Sequence, residues 1–157
     1  MSAIIGIDPG KTGWVVAVDS DGIAWSEPLP EAPGALSRLL RDRAGLHCAI
    51  ERQHPVRGQG LASTWSLAGS YWRAREAAAG AGCRVVIVPA VEWQRAMLHG
   101  IQHDGRRDLI RAYVQEAERL WPTVSFRGPR GGLLDGKAAA ALLAEYYRRR
   151  LDGLLEV

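Results

Sequence analysis

The sequence predicts an α/β fold with a mixed five-stranded sheet, in which three antiparallel strands precede two parallel ones and helices cover both faces. Its first part contains three short apolar segments separated by turn signatures, which is typical of an antiparallel meander. Helical and strand patterns then alternate, which indicates parallel strands joined by crossover helices. A chain of 157 residues is long enough for one hydrophobic core, so we expect residues 1–157 to form a single domain.

The first three predicted strands follow each other closely. Residues 3–8 are apolar up to Asp8 and run into Pro9 and Gly10, a strand followed by a tight turn. The next two strands are predicted over 13–18 and 22–26, with a hairpin turn between them. This order makes the first strand a neighbour of the second.

The rest of the chain supplies the remaining strands and the helices. In chain order we predict a helix over 33–43, a strand over 46–51, a helix over about 61–79, a strand over 84–88, a short turn near 91–98, a helix over about 105–119 and a helix over about 134–150. Gly45 and Gly80 are expected to end the first two helices.

Composition limits the class of protein. Hydrophobic residues make up 47% and charged residues 24%, the balance of a globular protein, and no apolar run approaches the roughly 20 residues that span a bilayer. The N-terminus lacks the features of a signal peptide, so we expect a cytoplasmic protein without a membrane partner. Cys48 and Cys83 lie in apolar surroundings without metal-site spacing and are expected to be reduced core residues.

The charge pattern favours an anionic partner. The formal net charge is +3, and arginine is concentrated in predicted loops, where its planar guanidinium suits phosphate contacts. These arginines are Arg52, Arg57, Arg95, Arg106, Arg107, Arg127 and Arg130.

Three acidic residues stand where elements begin or end. Asp8 and Glu51 close predicted central strands, and Asp135 opens the last helix. If the two strands are neighbours, their carboxylates converge, and converging buried carboxylates imply a cation between them. Each residue also has a simpler interpretation: Asp8 as a turn residue, Glu51 as a solvated strand end and Asp135 as a helix N-cap.

Four segments resemble the phage and plasmid members of the RuvC-like Holliday junction resolvase family, a resemblance that covers about residues 4–150. The segments read IGIDPGKTG, AIERQHPVRGQG, VPAVEWQRAM and DGKAAAALLAEYYRR. In the family, the first strand ends in Gly-Ile-Asp-Pro-Gly, the fourth ends in Ile-Glu before a basic residue and a Gly-Gln-Gly loop, and Trp-Gln follows the fifth. Trp93 and Gln94 match the last of these motifs.

The resemblance implies an RNase H-like fold and a magnesium-dependent endonuclease that resolves Holliday junctions or related branched DNA in recombination and repair. It implies catalytic and metal-binding roles for Asp8, Glu51 and Asp135, with two Mg²⁺ ions that Mn²⁺ can replace. In this mechanism Asp8 bridges the ions, one of which activates water while the other stabilises the departing 3′ oxygen. A homodimer is also implied.

One position departs from the family pattern. The family's last motif carries a second acid four residues after the first, where this chain has Ala139. Residues 135 and 139 share one helix face, so an acid at 139 would lie beside the metal site. The missing fourth acid leaves open whether this chain cleaves DNA at a reduced rate or binds branched DNA without cleaving it.

Basic residues near these segments are candidates for contacts with DNA. The resemblance implies that a residue near His54 helps to open base pairs at the junction, although a solvated loop histidine is the simpler interpretation of His54 itself. Lys137 is either a phosphate contact or a surface lysine. The candidate nucleic-acid-binding residues are Lys11, Arg52, His54, Arg57, Arg106, Arg107, Arg127, Arg130 and Lys137.

The helix predicted over about 61–79 carries Trp65, Tyr71 and Trp72, more aromatic bulk than one core face needs. An exposed part of this helix would mark the dimer interface that the resemblance implies, while a core stripe is the alternative. The six tryptophans of the chain are otherwise assigned to packing.

Another enzyme class also uses an Asp-x-Gly-x-Thr motif, which is present here at Asp8, Gly10 and Thr12. It comprises the ATPases of the actin and sugar kinase type, which share this fold. Those proteins need a second domain to enclose the nucleotide, and this chain is too short to supply one.

Overall fold

A computed structural model describes residues 3–55 and 57–155 and contains one five-stranded sheet. Its strands are β1 (Ile4–Asp8), β2 (Trp14–Asp19), β3 (Gly22–Pro28), β4 (His47–Glu51) and β5 (Arg84–Val88). Their order across the sheet is β3-β2-β1-β4-β5. β1 pairs antiparallel with β2 and β2 with β3, whereas β4 is parallel to both β1 and β5. The predicted fold class is confirmed.

The helices follow the predicted order. They are α1 (Ala35–Leu40), α2 (Leu61–Gly80), α3 (Ala90–Met97), α4 (Gly105–Leu120) and α5 (Asp135–Leu151), and a short 3₁₀ helix (Arg41–Arg43) continues α1. The segment predicted as a short turn near 91–98 forms the two-turn helix α3.

Two hydrophobic clusters lie on opposite faces of the sheet, because successive strand residues point to opposite sides. Ile4, Val16 and Ala49 pack on the face covered by α3, α4 and α5. Ile5 and Val15 pack on the face covered by α1 and α2. Helices therefore cover both faces, as predicted. Cys48 and Cys83 are both buried, so they lie in the core as predicted.

α2 ends at Gly80, as predicted, and the left-handed residue that follows it is Gly82, with a φ of 77°. Two other local predictions were wrong. β3 continues to Pro28, which is tolerated because β3 is an edge strand and needs no amide donor on its open side. The interpretation of the α2 aromatics as a core stripe is wrong for Trp65 and Trp72, which are exposed, whereas Tyr71 is buried.

The contact between α5 and the sheet is unusually close. A β-carbon at Gly6 would lie 2.0 Å from the carbonyl oxygen of Ala140, so only glycine allows α5 to approach β1 this closely. Alanines at 138–141 and 144 form the matching buried helix surface. The sheet and α5 thus act as one packed unit. None of the helices in residues 3–55 and 57–155 has the length and apolar character of a membrane span.

Candidate active site

Two of the predicted acidic residues lie at the same edge of the sheet and on the same face. In the parallel pairing of β1 with β4, Ile7 is opposite Ile50, so Asp8 and Glu51 both follow the last aligned pair. Strand alternation places Asp8 on the face of Gly6 and Glu51 on the face of Ala49, which is the face that α5 covers. Both carboxylates are therefore directed to the side of α5.

α5 brings the third carboxylate to this edge. Asp135 is the first residue of the helix, and a β-carbon at the next residue, Gly136, would lie 2.0 Å from the carbonyl oxygen of Thr12. The start of α5 is thereby seated on the loop that follows Asp8. Leu134 occupies the N-cap position and no side-chain hydrogen bond caps the helix, so the interpretation of Asp135 as an N-cap is wrong.

The loop after β1 is itself tightly turned. The amide of Gly13 donates a hydrogen bond to the carbonyl oxygen of Gly10 at 3.2 Å. A β-carbon at Gly13 would lie 2.2 Å from the carbonyl oxygen of Asp8. The backbone around Asp8 is therefore fixed by close contacts that exclude larger residues.

Glu51 is held by two side-chain donors. The indole Nε1 of Trp93 donates to Oε2 of Glu51 at 2.9 Å, and Nε2 of Gln53 donates to Oε1 at 3.1 Å. Trp93 is completely buried, and its ring packs against Tyr113. Assigning the tryptophans to packing missed this contact, although the Trp-Gln motif after β5 had already drawn attention to the position.

The three carboxylates influence each other electrostatically. Burial raises the pKa of Asp8 well above its ordinary value, and the charges of Glu51 and Asp135 raise it further, while Arg106 opposes the shift. Burial also raises the pKa of Glu51, against the hydrogen bonds from Trp93 and Gln53 and the charge of His54. Both raised pKa values belong to acidic side chains at one partly desolvated edge of the sheet.

All three carboxylates line one cleft of about 920 Å³. Its basic and imidazole side chains come from four of the predicted DNA-contact positions, Lys11, Arg52, His54 and Arg106. The cleft is also lined by Gln59 and by residues 62, 63, 66 and 67 of α2, so this helix forms one wall. The cleft thus combines carboxylates, which can bind cations, with basic side chains, which attract a polyanion.

The other predicted DNA-contact residues do not line this cleft. Arg57, Arg107 and Arg130 are exposed elsewhere on the surface. Arg127 is paired with Glu118 at 2.8 Å. Lys137 donates a hydrogen bond to the carbonyl oxygen of Ser125 at 2.9 Å and is partly buried.

Ala139 and Tyr113 complete the lining. Ala139 is 5% exposed and faces the cleft one turn after Asp135, where the family pattern has an acid. Tyr113 of α4 was missed in the sequence, because an aromatic residue inside a helical pattern is indistinguishable from a core residue. Burial raises the pKa of the Tyr113 hydroxyl, and the charges of Glu51 and Asp8 add to the shift, so this hydroxyl keeps its proton.

The donor chemistry of the site fits a hard divalent cation. Three carboxylates supply the oxygen ligands that Mg²⁺ prefers, and their mutual repulsion at Asp8 is the kind that a cation relieves. As arranged in the part of the chain that the structure describes, however, no three His, Cys, Asp or Glu side chains form a group close enough to hold a metal ion.

Comparison with known proteins identifies the fold. No protein-family model matches this chain, and neither does any curated protein sequence. Among solved structures, the chain is similar to Thermus thermophilus RuvC, with 21% identity, a TM-score of 0.63 and coverage of 95% of this chain and 96% of that one. It is also similar to T. thermophilus RuvC in complex with Holliday junction substrate, with 18% identity, a TM-score of 0.65 and 96% coverage of both chains. The chain therefore has the RNase H-like fold of RuvC.

Proposed function

We propose that this protein is a metal-dependent endonuclease that cleaves four-way or other branched DNA, of the phage and plasmid resolvase type. The observation that carries the proposal is that Asp8, Glu51 and Asp135 all line one cleft of a chain with the RuvC fold. The structural neighbour that contains a Holliday junction supports branched DNA as the substrate class.

Asp8, Glu51 and Asp135 would hold the divalent cations. Such cations activate water and stabilise the oxygen that leaves phosphorus when they are bound at a phosphodiester. The chain itself fixes the carboxylates on a rigid sheet edge and a helix start. Mg²⁺ is the expected ion and Mn²⁺ the expected substitute, because both accept carboxylate oxygens.

The basic residues of the cleft would contact phosphates. Lys11, Arg52, His54 and Arg106 stand beside the carboxylates, where they offset the repulsion between DNA and the acidic floor. Arg57, Arg107, Arg127, Arg130 and Lys137 would extend the contact surface outside the cleft. If six or more phosphates are contacted, affinity falls by about 10³ or more between low and moderate salt.

A homodimer belongs to the same proposal. Leu61 and Trp65 are four residues apart on α2 and are 90% and 83% exposed, and Trp72 further along is 53% exposed. Large apolar side chains exposed along one helix are typical of a surface that a partner covers. A second copy of this chain would bury them symmetrically.

The proposal is tested by single-turnover cleavage of a labelled four-way junction in Mg²⁺, beside a linear duplex of the same arm sequence. We expect cleavage of the junction, little cleavage of the duplex and loss of activity in Asp8→Asn. Gel-shift assays in Ca²⁺ measure binding separately. Equal cleavage rates for junction and duplex would contradict selectivity for branched DNA. Cleavage by the Asp8→Asn variant would contradict the proposed site.

A second candidate function is binding of branched DNA without cleavage. It is favoured by Ala139, which stands in the position of the missing acid and lines the cleft. Selective binding in Ca²⁺ combined with no cleavage in Mg²⁺ or Mn²⁺ would establish this candidate in place of the endonuclease.

A further inference from the structure

We propose that Trp93 is a positioning residue that holds the Glu51 carboxylate in the orientation that binds a divalent cation. This inference rests on the proposed function, because it concerns the same cleft. It goes further by assigning a task to a buried tryptophan that is not among the residues that line the cleft.

The first argument is the hydrogen bonding of Glu51. Trp93 Nε1 donates to Oε2 at 2.9 Å and Gln53 Nε2 donates to Oε1 at 3.1 Å, so each carboxylate oxygen has one donor. Two donors on different oxygens restrict rotation of the carboxylate plane. Each oxygen keeps a further lone pair for another partner. The indole has no acceptor, so it orients the carboxylate without competing for the cation.

The second argument is that the indole is itself immobilised. Trp93 is completely buried, and its ring centroid lies 5.1 Å from that of Tyr113. The Tyr113 hydroxyl in turn accepts a hydrogen bond from Nε2 of Gln94, the neighbour of Trp93 on α3. The N–H of Trp93 therefore points in one direction only.

The third argument is that the backbone connects donor and acceptor. Glu51 is paired with Val88 at the end of β5, and the amide of Arg52 donates to the carbonyl oxygen of Val88 at 2.8 Å. α3 begins two residues later, at Ala90. The short path from β5 into α3 thus places Trp93 beside the end of β4.

The last argument compares Glu51 with the two aspartates. Asp8 and Asp135 stand beside backbone that is fixed by the close contacts of Gly13 and Gly136. A glutamate has one more rotatable bond, so ordering its carboxylate costs more conformational entropy. Hydrogen bonds from Trp93 and Gln53 fix the orientation of the Glu51 carboxylate before a cation binds. Side chains that hydrogen-bond to a metal ligand usually have this effect.

The experiment measures Mn²⁺ affinity by calorimetry on the intact chain, comparing wild type with Trp93→Phe. The phenylalanine keeps an aromatic ring but removes the donor, and we expect affinity to fall by about 10 to 100-fold, as for other lost partners of metal ligands. Trp121→Phe is the matched control, because Trp121 is also buried in the same hydrophobic cluster and packs against Phe126. It should leave Mn²⁺ affinity within about twofold, since within the described chain it makes no hydrogen bond to Glu51.

A second replacement guards against a folding defect in Trp93→Phe. 3-Benzothienylalanine at position 93 keeps the two-ring shape and replaces the N–H by sulfur, so it removes the hydrogen bond with little change in volume. The indole ¹H–¹⁵N resonance of Trp93, assigned by its loss in Trp93→Phe, gives a readout without metal. We expect it to move upfield in Glu51→Gln, because a hydrogen bond to a neutral amide is weaker than one to a carboxylate.

The outcomes separate the inference from the proposed function. Weaker Mn²⁺ binding in both replacements, with an unchanged Trp121→Phe control, supports the inference. Wild-type affinity in the sulfur analogue overturns it and leaves the endonuclease proposal standing. If the wild type binds no Mn²⁺ yet the indole resonance responds to Glu51→Gln, the metal-dependent function fails and the positioning role for a cation fails with it.

Discussion

The two longest helices of the protein relate to the sheet in opposite ways. α5 is buried almost continuously from Gly136 to Tyr146 and lies on β1 and β2. α2 has 20 residues, and those that are buried are Tyr71, Ala74, Ala77 and Ala78, all in its second half. Its first half stands beside the cleft with large apolar side chains exposed.

The difference in burial between α5 and the first half of α2 indicates different roles for the two helices. α5 is packed through small residues, so its first residue, Asp135, is held at a defined place relative to Asp8. The first half of α2 is free of such packing and offers surface to other molecules. Substitutions in the two helices should therefore produce different kinds of effect, and the following predictions start with the largest.

The largest effect is expected from an acid added to the cleft on α5. Ala139→Asp places a carboxylate one turn from Asp135 on the same face, so we expect single-turnover junction cleavage in Mg²⁺ to rise by about 10² to 10⁴ with little change in Ca²⁺ gel-shift affinity. The matched control is Ala62→Asp, which adds an acid to the same cleft from α2 and should not raise the rate. Equal rates for wild type and Ala139→Asp would mean that position 139 takes no part in catalysis.

The second effect concerns stability. Gly6→Ala places a β-carbon 2.0 Å from a backbone oxygen of α5, so the helix must move, and we expect a loss of about 3 kcal/mol in the free energy of unfolding. Gly69→Ala in α2 meets no atom within 4 Å and should instead gain about 0.5–1 kcal/mol, because alanine favours the helix. Urea titrations of both variants check the contrast, and similar losses in both would refute the packing difference.

The third effect should appear in association without a loss of folding. Trp65→Ala removes an exposed indole, so we expect the dissociation constant of the proposed homodimer to rise by about 30-fold or more in sedimentation equilibrium, while the urea midpoint of the folded subunit hardly moves. Leu154→Ala serves as the control, since Leu154 is also exposed but lies beyond α5. A wild type that sediments as a monomer at all concentrations would rule out the dimer.

The smallest effect is expected at the far end of α5. Burial by itself would raise the pKa of Glu145, yet hydrogen bonds from Arg148 and Arg149 hold it below its ordinary value. This ion pairing therefore stabilises the fold fully at pH values above the ordinary carboxyl pKa. The stabilisation is lost as the pH falls through the lowered pKa of Glu145. Because these arginines are partly exposed, Glu145→Gln should cost only about 1–2 kcal/mol near neutral pH. Urea titrations along a pH series should show this difference shrinking in acid, and a constant difference would exclude the ionic contribution.

The order of elements and the three carboxylates could be predicted because they depend on local patterns. Turn signatures after Asp8 and apolar strands before it are readable in a short window, and so is the acid that opens the last helix. The meeting of Glu51 with Trp93 could not be predicted, because it joins residues 42 positions apart through the register of β4 and β5. The exposure of Trp65 could not be read from the sequence either, because an aromatic residue at helical spacing has the same pattern in a core and at an interface.

The direction of α5 has a consequence for the charge of the cleft. The helix begins at Asp135 and its N-cap residue, Leu134, makes no side-chain capping hydrogen bond, so the backbone amides of the first turn lie at the cleft end, while Arg148, Arg149 and Arg150 occupy the opposite end. Aligned peptide dipoles give a helix N-terminus a partial positive charge of roughly half a unit. The floor of the cleft is thus less negative than its three carboxylates suggest, and the backbone of α5 supplies part of the compensation before any ion arrives.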